Sequence, residues 1–253
     1  MIFCTFRSPH VLPRTAFDFP TSVGVAAVAH ASAESPRESC GLVLRIASEL
    51  TYRPCRNLAE GQAHFHLAPE DFARAEAEGE VVAVVHSHPN ASPEPSEADR
   101  VMCERWGLPW LIVNVPVGHW QVLVPSGYRA PLVGRPFSHG VLDCFSLIRD
   151  YFAEVVGLEL PDFERPDDWW LKGGNLYLEG YERAGFVDVT GAPLREHDVL
   201  LMQLRASVPN HAGVYLGADV VLHHLQNSLS KRETYSGFWA RVTRKVVRHR
   251  SLC

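Results

Sequence analysis

The stretch VVAVVHSHPNASPEPSEAD, residues 81–99, decides how the first half of the chain folds. Its opening run of apolar residues predicts a buried strand. The run leads directly into His86 and His88, and side chains two residues apart on a strand project to the same side. Ser96 then begins a predicted helix as its N-cap, with Asp99 in the first turn. The stretch therefore brings two imidazoles and a carboxylate toward one end of a strand.

These three side chains form a ligand set for a catalytic zinc ion. Two nitrogens and one carboxylate oxygen leave the fourth tetrahedral position to water, and this open position separates catalytic from structural zinc. Ser96 shares a helix face with Asp99, because the two are one turn apart. Zinc lowers the pKa of its water to about 7, yet a base must still accept the proton and pass it on. Glu38, which precedes a predicted strand at Gly41–Ile46, is the candidate base.

These residues together resemble a known signature. Glu38 before Cys-Gly-Leu, followed by HSHP at 86–89 and SEAD at 96–99, is similar to the JAMM motif of MPN-type metallopeptidases. The resemblance implies an MPN-like mixed sheet with helices, a Zn2+ cofactor and hydrolysis of a peptide or isopeptide bond. It also implies that His86, His88 and Asp99 bind the zinc ion. Glu38 would be the general base, and Ser96 would help to hold the developing oxyanion.

A second His-x-His pattern occurs at His64–His66. No carboxylate follows it at a matching spacing, and the segment has the pattern of a strand. We therefore predict that these histidines have a structural role rather than a metal-binding one.

Helical and strand patterns alternate through the rest of this half, which predicts an α/β unit. Pro36 follows the first helix, and the strands are short, apolar runs. The predicted helices are Val23–Glu34, Pro69–Ala77 and Ser96–Trp106, and the predicted strands are Gly41–Ile46, Leu50–Cys55, Val81–Val85, Trp110–Val115 and Trp120–Val124.

The length of 253 residues favours two domains rather than one. The sequence SGYRAPLVGR, beginning at Ser126, has two glycines, a proline and no sustained periodicity, which is typical of a linker. We therefore predict a first domain at 1–125, a linker at 126–138 and a second domain at 139–253.

The second half begins with helical patterns and ends with strands, which predicts an α+β domain. An amphipathic pattern follows the linker, and a second helical pattern is closed by Gly185. The predicted helices are Cys144–Val156 and Leu176–Arg183, and the predicted strands are Asp198–Leu204, Ala212–Leu216 and Val220–His224.

Cys144, in the first turn of its predicted helix, is a candidate nucleophile. The positive end of the helix dipole and the free N–H groups favour the thiolate, so we predict a lowered pKa for this thiol. His211, at the start of a strand, is the candidate base. A third polar group should orient that imidazole. His223 and His224 are the alternatives, and only one can serve because their side chains point to opposite faces.

The sequences DCFSLI at 143–148 and HAGVYLG at 211–217, followed by a histidine on the next strand, resemble the NlpC family of cysteine peptidases. That family usually has Asp-Cys-Ser-Gly, whereas this chain has Phe145 and Ser146 in the last two positions. The resemblance implies a papain-like α+β fold, with Cys144, His211 and, by the family's spacing, His223 as catalytic residues. It also implies cleavage of peptidoglycan stem peptides, near the bond between D-Glu and diaminopimelate.

An MPN-type domain followed by an NlpC-type domain resembles the two-domain tail-tip proteins of lambda-like bacteriophages. This resemblance implies a place in the virion tail tip, a stay in the host cytoplasm during assembly, and other tail-tip proteins as partners. Two alternatives stay open. One is a structural tail-tip subunit whose sites are inactive or blocked by partner chains, and the other is a cellular enzyme that processes peptide conjugates.

Composition narrows the range of partners. The formal charge of -5, without a basic stripe through the body of the chain, argues against nucleic acid. The one basic cluster, Arg241–Arg250, predicts a solvated helix or tail, or else a docking surface for an acidic partner.

No apolar run reaches the roughly 20 residues of a transmembrane helix, and no signal peptide is evident, so we expect synthesis and retention in a cytosol. Six irregularly spaced cysteines argue against a disulfide framework.

Overall fold

The computed structural model describes residues 18–59 and 64–253. The described residues divide after Arg129 into two compact units, and each is described by itself. Residues 1–17 of the predicted first domain lie outside the described ranges. Within those ranges, no helix combines the length and the apolar character needed to cross a bilayer. The predicted α/β class for the first half and α+β class for the second are confirmed.

A mixed five-stranded sheet, in the order β2-β1-β3-β4-β5, forms the first unit. Neighbouring strands are antiparallel except β3 and β4, which are parallel. The helices and strands predicted for this half are present, apart from the strand expected at His64–His66. They are α1 (Thr21–Glu34), β1 (Cys40–Ile46), β2 (Glu49–Cys55), α2 (Pro69–Glu78), β3 (Glu80–Pro89), α3 (Glu97–Trp106), β4 (Trp110–Val115) and β5 (Trp120–Leu123).

Helices cover both faces of this sheet. On one face α1 packs in a cluster with Val43 and Val85, and on the other α2 and α3 pack in a cluster with Leu42 and Leu44. Strands buried on both faces need apolar residues at successive positions, which explains the unbroken apolar runs in the sequence. Because β3 continues to Pro89, its histidines lie at the end of a strand that the sheet holds on both sides.

The second unit is built on an antiparallel six-stranded sheet in the order β10-β9-β8-β7-β11-β6. The predicted helix at Cys144 is α-helical over its first part and continues as a π-helical turn, Phe152–Val156. Its apolar side, including Leu147 and Ile148, packs against the sheet. The elements are α4 (Cys144–Tyr151), α5 (Leu176–Gly180), β6 (Phe186–Asp188), β7 (Val199–Met202), β8 (His211–Tyr215), β9 (Val220–His223), β10 (Lys231–Thr234), α6 (Phe238–Val242) and β11 (Thr243–His249).

The basic segment near the C-terminus is the main correction to the predicted fold. Most of it forms β11, a strand inside the sheet between β7 and β6, rather than a solvated helix or tail. Arg248 on this strand is only 6% exposed. Its Nε and Nη2 atoms donate to the two carboxylate oxygens of Asp198 at 2.7 and 2.8 Å. The charge pattern was misleading because this arginine has a buried partner that lies far away in the sequence.

We expect Arg248→Met to lower the free energy of unfolding by about 3 kcal/mol, because it leaves the buried carboxylate of Asp198 without its partner. Lys245→Met is the matched control on the same strand. Lys245 pairs with Asp188 in a more exposed position, so its loss should cost less than about 1 kcal/mol. Urea denaturation of the full chain measures both values. Equal losses in the two variants would contradict the prediction.

The segment predicted as a linker is packed against the units. The backbone N–H groups of Ser126 and Tyr128 donate to the Glu104 carboxylate at 2.6 and 3.0 Å. Farther along, Arg135 is fully buried, and its backbone N–H donates to the Ser230 hydroxyl at 3.1 Å. The first part of the segment therefore belongs to the first unit and the last part to the second.

Candidate active sites

The side chains predicted to bind zinc come together where β3 ends and α3 begins. His86 Nε2 lies 3.1 Å from His88 Nε2 and 3.2 Å from Asp99 Oδ1. His88 Nε2 lies 3.3 Å from the other oxygen, Asp99 Oδ2. Within residues 18–59 and 64–253, this is the one group of three His, Cys, Asp or Glu side chains whose ligand atoms converge in this way.

Hydrogen bonds fix the direction of these ligands. His88 Nδ1 donates to the Ser92 carbonyl at 2.8 Å. When the ring is neutral, as a metal ligand must be, the proton is therefore on Nδ1 and Nε2 carries a lone pair. Ser96 and Asp99 form a capping box at the start of α3. In it, Ser96 N donates to Asp99 Oδ2 at 2.7 Å, and Asp99 N donates to Ser96 Oγ at 3.1 Å. The carboxylate is thereby held in the first turn of the helix.

The donor set fits a divalent cation. The Nε2 atoms of His86 and His88 and the carboxylate oxygens of Asp99 all converge on one point. Burial disfavours the charged form of Asp99, but hydrogen bonds with His86 and His88 outweigh it and hold the pKa well below its usual range. An ionised carboxylate with two imidazoles is the combination of ligands that zinc takes in three-ligand sites.

Glu38, the candidate base, lies near this cluster. Cys40 is directly opposite His86 across β1 and β3, and Glu38, two residues before Cys40, is near enough to His88 and Asp99 to interact electrostatically with both. Burial raises the pKa of Glu38 to about 7, while His88 lowers it and Asp99 raises it. A carboxyl group with this pKa can take up and release a proton near neutral pH.

An aromatic wall that the sequence did not predict surrounds His86. The Phe65 ring stacks on the imidazole at 5.0 Å, and the Trp110 ring meets it edge-on at 5.2 Å. Phe65 is the middle residue of His64–His66, which was predicted to be a strand but lies outside any strand. Asn57 holds the segment instead: its Nδ2 donates to the His64 carbonyl, and its Oδ1 accepts from the backbone N–H of His66.

In the second unit, Cys144 occupies the first position of α4. Asp143 is the N-cap, and its Oδ1 accepts from the backbone N–H of Ser146 at 2.8 Å. Ser146 Oγ in turn accepts from the backbone N–H of Asp143 at 2.7 Å. Arg165 donates to Asp143 Oδ2 at 2.8 Å, and its guanidinium lies 4.8 Å from the Phe145 ring. The two residues that depart from the usual NlpC sequence therefore complete the capping box and cover the buried arginine.

The predicted lowering of the Cys144 pKa is wrong. Burial, together with the negative charge of Asp143, raises the pKa of the thiol to about 11, although Tyr177, the N–H of Ala212 and Arg165 act in the opposite direction. A helix terminus contributes about 1 kcal/mol at a typical site, which is less than a tenfold change in an ionisation constant. Burial in this site is the larger effect.

His211 and His223 lie side by side on neighbouring strands. His211 Nε2 is 3.2 Å from His223 Nδ1, and His223 Nε2 is 2.9 Å from a carboxylate oxygen of Glu233. His224 points the other way, with its Nε2 3.2 Å from the Ser228 carbonyl. Of the two alternatives, the structure places His223 against the candidate base.

The thiol of Cys144 lies next to the start of β8. α4 packs against β8, which begins at His211, and the N–H of Ala212 makes a hydrogen bond to the sulfur. The Tyr177 hydroxyl is 3.0 Å from Sγ. Burial, with the positive charges of His223 and His224, lowers the pKa of His211 to about 3. Both members of the Cys144–His211 pair are therefore uncharged at neutral pH.

We expect the reaction of Cys144 with iodoacetamide to be slow at pH 7 and to accelerate about tenfold per pH unit up to about pH 10, because the thiolate is the reactive form. Cys253 is the internal reference, since it is exposed and, like the other described cysteines, free. Peptide mass spectrometry of one alkylated sample follows both thiols. A rate at Cys144 that is already constant below pH 7 would indicate a thiolate–imidazolium pair and contradict the prediction.

Sequence reasoning missed Glu233 and the contact between Tyr177 and the thiol. Glu233 lies on β10, a charged strand at the edge of the sheet that was not predicted. A signal was available, because a polar segment directly after the strand of His223 can return as a hairpin partner.

Two family models match the chain, in the order in which the units occur. The model described as prokaryotic homologs of the JAB domain matches residues 20–124, and the NlpC/P60 family model matches residues 134–248. The fold and the two sites thus define a class of protein in which a JAB-type domain with a His-His-Asp cluster precedes an NlpC/P60 domain with a Cys-His-His cluster.

Relatives that align with most of the chain identify the family within this class. The chain is 44% identical over 230 residues to Tail tip assembly protein K of Escherichia phage N15, covering 90% of this chain and 94% of that protein. It is 45% identical over 185 residues to Tail tip assembly protein K of Escherichia phage lambda, covering 73% and 90%. The chain belongs to the tail tip assembly protein K family.

A third relative matches a shorter part of the chain. Desampylase of Pyrococcus furiosus is 37% identical over 83 residues, which is 30% of this chain and 59% of that protein.

Proposed function

We propose that the protein is a phage tail-tip peptidase whose second domain cleaves peptidoglycan stem peptides while the phage genome is delivered. The observation that carries the proposal is the arrangement at the start of α4. There a buried cysteine accepts a hydrogen bond from the N–H of Ala212, the residue directly after His211, and His211 Nε2 lies 3.2 Å from His223 Nδ1. A nucleophile, a base and a group that orients the base form the constellation used for acyl transfer.

The residues of this site support a two-step hydrolysis. His211 takes the proton from Cys144 as the sulfur attacks the scissile carbonyl, and the protonated imidazole then gives that proton to the departing amine. Water hydrolyses the resulting thioester, with His211 again as the base. The free backbone N–H groups of the first turn of α4 and the Tyr177 hydroxyl can donate to the oxyanion.

The proposed substrate is the stem peptide near the bond between D-Glu and diaminopimelate. The test is digestion of purified diaminopimelate-containing peptidoglycan by the full chain, with the fragments identified by mass spectrometry. New termini at D-Glu and diaminopimelate support the proposal. Intact peptidoglycan after prolonged incubation would count against it.

We further propose that the first domain is a zinc-dependent hydrolase of a peptide or isopeptide bond. His86, His88 and Asp99 would hold the metal. When bound, Zn2+ supplies Lewis acidity that makes water acidic enough to lose a proton near neutral pH. Glu38, whose pKa is raised to about 7, takes up that proton and delivers it to the leaving amine. The Ser96 hydroxyl donates to Asp99 Oδ2 at 2.7 Å and so orients the ligand carboxylate; in the proposed reaction it would turn to help hold the oxyanion.

The match of residues 20–124 to the JAB-domain model supports a hydrolase in this domain. Incubating the zinc-loaded protein with a fluorogenic isopeptide substrate tests the assignment. Turnover that a chelator stops and added Zn2+ restores is the expected result. Turnover that is insensitive to the chelator would exclude a metal-dependent site.

Membership of the tail tip assembly protein K family supports a location in the virion tail, with other tail-tip proteins as partners and assembly in the host cytoplasm.

One observation favours a second candidate function, that of a structural subunit whose cysteine site is inactive. Cys144 is only 8% exposed and its thiol contacts Tyr177, so substrate must reach a covered sulfur. Failure of purified particles to digest peptidoglycan would favour the structural role.

A further inference from the structure

Glu233 lies at the end of a chain of hydrogen bonds that begins at the candidate base. His223 stands in the middle of this chain, with Nδ1 3.2 Å from His211 Nε2 and Nε2 2.9 Å from Glu233 Oε2. The other carboxylate oxygen of Glu233 is 2.9 Å from Lys231 Nζ. Antiparallel pairing of β9 and β10 sets Lys231 opposite His223, so the backbone register holds these groups in place.

We infer that Glu233 is a positioning residue: it selects the tautomers of both histidines and so leaves Nδ1 of His211 free to accept the thiol proton of Cys144. The inference deepens the proposed cysteine peptidase function and rests on it.

The tautomers of both histidines follow from which atoms can donate a hydrogen bond. A carboxylate only accepts hydrogen bonds, so His223 Nε2 carries a proton and His223 Nδ1, in a neutral ring, carries a lone pair. That lone pair accepts from His211 Nε2, which must therefore be protonated. In a neutral His211 the remaining nitrogen, Nδ1, is then bare. One carboxylate thus determines the protonated nitrogen on two imidazoles in series.

Charge and burial keep Glu233 ionised and His223 neutral, so the pair of tautomers stays the same. His223 is fully buried, so solvent does not compete for its nitrogens, whereas the Glu233 side chain is 33% exposed. Burial raises the pKa of Glu233, but the hydrogen bonds to Lys231 and His223 outweigh it and lower the pKa overall. Burial also lowers the pKa of His223. Trp239 covers His223 at a ring distance of 4.4 Å.

The test is to determine the protonated nitrogen of each histidine by long-range 1H–15N NMR of the full chain. The His211 and His223 signals are identified by substituting each residue. In the wild type we expect the proton on Nε2 of both rings. In Glu233→Gln the amide can donate as well as accept, so we expect a second tautomer in both rings. Glu196→Gln, which changes an exposed glutamate of the same unit, should leave the tautomers unchanged.

Kinetics supply a second readout. We expect Glu233→Gln to lower kcat on peptidoglycan fragments about 10- to 100-fold, with KM within about twofold, because the substitution acts on the base and not on the substrate. A wild-type His223 with its proton on Nδ1, or unchanged tautomers in Glu233→Gln, would overturn the inference. The NMR measurement needs no substrate, so it decides the inference even if the wild type cleaves no peptidoglycan, an outcome that would instead overturn the proposed function.

Discussion

Replacing Cys144 with alanine is expected to abolish cleavage of peptidoglycan by the full chain, with a loss of at least about 10⁴-fold in rate. In the proposed reaction the sulfur forms the bond to the substrate, so its removal leaves the site without a nucleophile. The Tyr177 hydroxyl contacts the sulfur, but burial raises its pKa well above the ordinary value, so it cannot replace the thiol. Mass spectrometry of the released muropeptides measures the loss.

Two controls make this result specific. Cys253→Ala removes an exposed thiol from the same unit and should cleave at the wild-type rate. Glu38→Gln alters only the other site and should also leave cleavage unchanged. Cleavage that persists in Cys144→Ala would show that another residue carries the reaction, and loss of cleavage in Glu38→Gln would show that the two sites do not act independently.

The second large effect is expected for zinc binding. His88→Ala should weaken Zn2+ binding by more than about 100-fold, because loss of a ligand exceeds the usual cost of losing a residue that only supports one. Glu38→Gln should retain the metal and lose hydrolysis of the isopeptide substrate by about 10³-fold, since it removes the base and spares the ligands. Metal analysis of dialysed protein and titration with Zn2+ measure binding, and the fluorogenic substrate measures turnover.

His119→Ala is the matched control for the ligand variant, because His119 is an exposed histidine of the same unit. It should bind one zinc ion with wild-type affinity. If His88→Ala bound zinc as tightly as this control, the assignment of the ligands would be wrong. If Glu38→Gln hydrolysed the isopeptide at the wild-type rate, Glu38 would not be the base.

Local patterns in the sequence predicted much of the fold. The apolar run of β3 is a property of a few adjacent residues, and so is the alternation that puts His86 and His88 on one side. Both can therefore be predicted without knowing how the rest of the chain folds. The capping residues Ser96 and Asp143 likewise act within one helical turn. These local rules were sufficient to bring the candidate ligands and the candidate nucleophile to the ends of the right elements.

What the sequence could not predict depends on long-range pairing. Arg248 looked like part of a solvated basic segment because Asp198, its partner, is remote in sequence. Glu233 was overlooked because its contact with His223 requires the hairpin of β9 and β10. The pKa of Cys144 was misjudged for a related reason: the helix terminus is visible in the sequence, whereas the burial that outweighs it is a property of the assembled domain.

The high pKa of Cys144 has a consequence for how fast its sulfur is oxidised. A phage particle can wait outside its host for long periods in an oxidising medium, where thiolates are converted to sulfenic acid and then to irreversible products. A thiol with a pKa of about 11 is ionised in only about one molecule in ten thousand at pH 7. Burial, together with the Asp143 carboxylate that starts the helix, raises this pKa and thereby slows oxidation of the sulfur outside the host.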